Sequence, residues 1–117
     1  MSLLSPTRGE LLDRLSIVCR RIVEIGLTGG NIIRPIDESN QIIERLVPGD
    51  ATDREKYSAA AILAATNAAL WERENLIRKA DTETGVATLS REIHRLNDRR
   101  AALIAQIDGV PNPKVHS

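Results

Sequence analysis

The 117-residue sequence has no phenylalanine, one tryptophan, one tyrosine and one cysteine. Without bulky rings, the core must be built from Leu, Ile, Val and Ala. That set favours close helix–helix packing over a sandwich that needs larger filler. The lone Cys19 excludes an intramolecular disulfide and a thiolate zinc site, and it fits a reducing compartment. Net charge is missing too, because 16 Lys and Arg balance 16 Asp and Glu. A dedicated nucleic-acid binder carries a basic excess, whereas a near-neutral chain self-associates more readily. No apolar run approaches the roughly 20 residues of a membrane span, and residues 1–8 lack the apolar stretch of a signal peptide. These absences predict a cytoplasmic protein without membrane or nucleic-acid partners.

What is present reads as helix. A hydrophobic fraction of 42% supports a real core in one domain over 1–117, with fraying expected at 1–6 and 110–117. Leu11, Leu15, Val18, Ile22 and Ile25 repeat at four-three spacing. They predict a first helix over 7–25, opened by a Thr7/Glu10 capping box and closed by Gly26 and Leu27. A loop around Gly29-Gly30-Asn31 leads to a short helix over 36–47, which Pro48-Gly49 stops. A long helix over 53–80, capped by Thr52 and Glu55, is alanine-rich in its first half. A turn at 81–85 leads into a fourth helix over 86–108, and Gly109 ends it. The expected fold is all-α: an antiparallel bundle of three long helices and one short one, dominated by the C-terminal hairpin.

Polar residues interrupt the apolar stripes of that hairpin. In the last helix Arg100 stands among Val86, Leu89, Ile93, Leu96, Leu103 and Ile107. In the third, Asn67 and Glu74 stand among Ala60, Leu63, Leu70 and Ile77. Polar groups at core positions are costly unless paired, which makes them informative. A turn centred near residue 83 sets Asn67 opposite Arg100, Trp71 near Leu96, and Glu74 near His94. The pattern therefore predicts a polar seam of Asn67, Glu74, Arg78, His94, Asn97 and Arg100, walled by Trp71. Glu10 and Asp13 join it from the first helix. Such a seam is a structural network that fixes register, a pocket for an anionic or polyhydroxylated molecule, or a set of partly solvent-exposed side chains with no special role.

Three stretches, GELLDRLSIV, NAALWERENLIR and LNDRRAALIAQID, carry a resemblance to small all-helical bacterial families of unknown function. Their pattern is Glu-Leu-x-Asp-Arg/Lys, then Asn-x-x-Leu-Trp-x-x-Glu-Asp/Asn-x-x-Arg, then Asn-Asp/Gln-x-Arg. The resemblance implies Glu10, Asp13, Asn67, Trp71, Glu74, Arg78, Asn97 and Arg100 as signature positions. It also implies an association with glycosyltransferase and polysaccharide gene neighbourhoods. Asn75 stands where many relatives have Asp, and that departure removes a second carboxylate beside Glu74.

Most chemistries lack their residues. No Glu-x-x-His motif offers di-iron ligands, no metal or cofactor is implied, and no glycine-rich loop opens a phosphate cradle. Cys19 lies beside the core stripe of the first helix, where burial makes a thiol inert. The leading expectation is a non-catalytic interaction or accessory protein, self-associating as a dimer and serving a protein partner. The alternative is a small enzyme or binding protein for an anionic metabolite or sugar nucleotide. There Glu74 would act as acid or base, with Arg78 and Arg100 as clamps.

Overall fold

The computed structural model describes residues 5–109, and four helices account for most of them. These are α1 (Arg8–Leu27), α2 (Ile33–Leu46), α3 (Ala51–Lys79) and α4 (Glu83–Asp108), with no strand among the described residues. The all-α class is therefore the observed one. The expected fraying of 110–117 and most of 1–6 lies outside the described residues.

Helix ends follow local chemistry, with some corrections. Thr7 accepts from the Glu10 backbone N–H at 3.1 Å while the Glu10 carboxylate accepts from the Thr7 N–H, which is the expected capping box. Gly26 does not end α1: the helix continues through it to Leu27, and the left-handed residue is Gly29 (φ 73°). A Cβ at position 26 would lie 3.3 Å from the flexible Arg99 tip, Nη1, which reaches in from α4. Arg95, one turn earlier on α4, donates to the Leu27 carbonyl at 3.2 Å. Two guanidinium groups thus meet the negative end of the α1 dipole.

The second helix starts three residues earlier than the proline suggests, at Ile33. Pro35 sits in the first turn, where a backbone N–H would have no partner in any case. The α3 cap is Asp50, accepting from Thr52 N–H at 2.7 Å, and not Thr52 itself. Likewise Thr82 caps α4 by accepting from Gly85 N–H at 3.0 Å, so Gly85 lies inside the helix and the turn is shorter than expected. Gly109 ends α4 in the left-handed conformation, as its position after Asp108 predicts.

One core draws on all four helices, with Ile22, Ile43, Ala69 and Leu96 among its most buried members. Cys19 is buried there, as expected. The chain measures 52 × 39 × 22 Å, so its thin dimension is about two helix diameters. Its radius of gyration of 16.2 Å exceeds the roughly 13 Å of a compact chain of this length. Much side-chain surface on α3 and α4 therefore stays uncovered.

The buried stripe of α3 is rotated from the expected one. It runs through Ala59, Ala65, Thr66, Ala69, Leu70 and Arg73, while Ala60 and Asn67 are exposed and Glu74 is half-buried. Alanine packs almost equally well inside or outside, so an alanine-rich helix carries little phase information. The buried Thr66 hydroxyl is satisfied by donating to the Ile62 carbonyl at 2.8 Å.

Candidate functional site

Among the described residues the buried charge is Arg73, only 8% exposed. Its Nη1 and Nη2 both donate to the Glu24 carboxylate on α1, the former at 2.7 Å, a forked pairing suited to a guanidinium. Glu92 of α4 lies 3.6 Å from Nε, and Glu72 lies 3.3 Å from Nη1. Arg20 closes the cluster by donating to Glu24 at 2.8 Å and to Glu72 at 2.9 Å. Two arginines and three carboxylates thereby join α1, α3 and α4.

The electrostatics are mutual. Hydrogen bonds from Arg73 hold the Glu24 carboxyl below its ordinary range against the cost of desolvation, and Arg20 adds to the effect. Glu24 in turn raises the Arg73 guanidinium. With every member paired, the cluster tethers three helices and leaves no charge idle for a ligand. Sequence reading missed it. The available signal was that Arg73 follows Ala59, Thr66 and Leu70 at helical spacing, but its partners sit on two other helices.

The expected seam is only partly assembled. Arg100 Nε donates to Asn67 Oδ1 at 3.0 Å, as the hairpin register predicts, though both residues are exposed. The remaining members do not converge on that pair. Trp71 is 67% exposed and so cannot wall a buried seam against Leu96, which is buried. Arg78 donates to Asn75 at 3.1 Å instead of turning to Glu74. His94 is exposed and lies 3.6 Å from Asp98, away from Glu74. Asn97 is exposed, Glu10 serves the α1 cap, and Asp13 stands in solvent with its backbone carbonyl accepting from Ser16. The physical reason is the rotated phase of α3, which turns Asn67, Trp71 and Arg78 outward together.

Two open features flank that outward face. A groove of about 330 Å³ between α1 and α3 is lined by Leu12, Tyr57, Ala60, Ala61 and Ala64. Leu12 stands 42% exposed at its edge. Further along, a depression of about 470 Å³ beside Trp71 is bordered by Arg20, Glu72, Asn75, Leu76 and Lys79. No group of three or more His, Cys, Asp or Glu among the described residues is placed to hold a metal ion. No described helix is long and apolar enough to cross a membrane.

No family model, curated protein or solved structure matches the chain. The resemblance noted above therefore rests on its three motifs alone.

Proposed function

We propose that this chain is a non-catalytic, self-associating helical module, an accessory protein that works with a partner enzyme in the cytoplasm. Its four helices form an antiparallel bundle, a reading supported by residue numbers that run in opposite directions across the α3–α4 pairs Asn67–Arg100 and Arg73–Glu92. The observation that carries the functional reading is the open apolar groove between α1 and α3, with the sole tryptophan standing in water nearby. Exposed aromatic side chains beside apolar hollows are the usual anchors of protein interfaces. The motif resemblance would place the partner enzyme in glycosyl transfer.

Sedimentation velocity over a range of micromolar concentrations tests self-association. The expected result is a dimer that dissociates on dilution, and a monomer throughout overturns the reading.

A second reading, binding of an anionic metabolite or sugar nucleotide, draws on the depression beside Trp71. It is less well supported, because Arg20 at that rim already pairs with Glu24 and Glu72, leaving Lys79 as the available cation there. Glu74, its acid or base, does not border the depression. A thermal-shift series with sugar nucleotides tests it: stabilisation that Lys79→Ala abolishes supports it, and no shift with any member rejects it.

A further inference from the structure

The outward face of α3 is complementary to itself. Asp53, Tyr57, Ala60, Ala64, Asn67, Trp71, Glu74 and Arg78 follow alternating four-three spacing, one continuous stripe of a helix. All are exposed except Tyr57 and Glu74, which are half-buried, so no described element covers the stripe, although Arg100 of α4 reaches its Asn67. When a second copy of the helix is laid against it in the opposite direction, facing residues have numbers that sum to 131. Ala60 then meets Trp71, Ala64 meets Asn67, Asp53 meets Arg78, and Tyr57 meets Glu74. Each large or charged group faces a small or complementary one. The parallel arrangement would instead set Trp71 on Trp71 and Asp53 on Asp53, which sterics and charge oppose.

Two further observations select a second copy as the occupant. Ala60, which would receive the facing indole, lies in the wall of the α1–α3 groove, whose volume of about 330 Å³ accommodates a tryptophan side chain. The flank of the stripe also carries Lys56, exposed and within reach of a facing Glu74. Among the described residues, Asp53, Lys56, Glu74 and Arg78 form no ion pair within the chain, although the Arg20–Arg73 cluster is fully paired. A flank with the order acid, base, acid, base satisfies itself only against a reversed copy of the same flank.

We infer that the chain forms a two-fold dimer through α3 packed antiparallel on α3, with Trp71 of each copy seated over Ala60 in the groove of the other. The dimer carries Lys56–Glu74 and Asp53–Arg78 pairs in both directions. This inference rests on the self-association proposed above and names its surface. The face has isologous symmetry, so the assembly closes at two copies.

A charge-swap experiment tests it with the full chain. Lys56→Glu and Glu74→Lys each place like charges across the interface, and each alone should weaken dimerisation tenfold or more by sedimentation velocity. Mixed in equal amounts, the two variants pair opposite charges at every position, and dimerisation should return. Ala60→Trp is an independent probe that fills the seat and should give a monomer, with circular dichroism confirming retained helix. A wild-type chain that is monomeric throughout overturns both this interface and the self-association beneath it. A wild-type dimer that Lys56→Glu and Ala60→Trp leave intact, or a mixture that fails to re-dimerise, overturns the interface alone.

Discussion

Arg73 on α3 grips Glu24 on α1 with two nitrogens, Nη1 reaching Oε2 at 2.7 Å, at a site where the arginine is almost wholly shielded from water. A guanidinium in that position is tolerated because Glu72 and Glu92 lie around it and Arg20 steadies the shared carboxylate. The pairing ties α1 to α3 at one height.

Arg73→Ala should therefore destabilise the protein by about 2 kcal/mol. That is less than the roughly 3–5 kcal/mol of a fully buried broken pair, because Glu24 is partly exposed and keeps Arg20. Arg73→Met retains the apolar stem and should lose less. Urea unfolding measures both, and an unchanged midpoint in Arg73→Ala would show the contact to be energetically idle.

Acid should act through the same carboxylate. Glu24 titrates below its ordinary value of 4.5 when folded, so its stabilising contribution is complete above that value and is lost as pH falls through the depressed one. Glu10, lowered by its bonds to Thr7, contributes in the same direction from an exposed site. Thermal unfolding of the wild type should fall steeply at pH values under 4.5, and Glu24→Gln should flatten that fall. An equally steep profile in the variant refutes the assignment.

Two glycines should respond with opposite signs. Gly26 is helical, and the Arg99 tip 3.3 Å from its missing Cβ can swing aside, so Gly26→Ala should raise stability by about 0.5 kcal/mol. Gly29 has φ of 73°, and Gly29→Ala should lower stability by about 1 kcal/mol. Guanidinium denaturation separates them, and a common sign would contradict the backbone reading.

The Cys19 thiol is pushed up to about 11 by burial. Thiolate is the reactive form, so Cys19 should resist a maleimide at mildly alkaline pH and react at once in denaturant. Prompt labelling of the native protein would show that the core opens around it.

Helix identity and several boundaries were legible in the residues themselves. Thr7 and Glu10, the Leu11–Leu15–Val18–Ile22 stripe and Gly109 all act locally, and local signals survive in a single sequence. The meeting of Asn67 with Arg100 was legible as well. The rotation of α3 was not, because Ala59, Ala60, Ala64 and Ala65 present nearly the same apolar bulk on every side. Missing that rotation made Asn67, Trp71 and Glu74 look like interior residues. It also hid Arg73, whose neighbours Glu24 and Glu92 are set by how three helices meet and not by spacing along one.

The position of the sole indole has an optical consequence. A ring that folding of a single chain leaves in water emits nearly alike from the folded monomer and the unfolded chain, so the fluorescence of Trp71 is almost blind to unfolding of the monomer. The same ring shifts its emission as soon as another surface excludes solvent from it. The molecule thus carries a built-in reporter of what touches this face, silent in a separated chain whether or not the core behind it has melted.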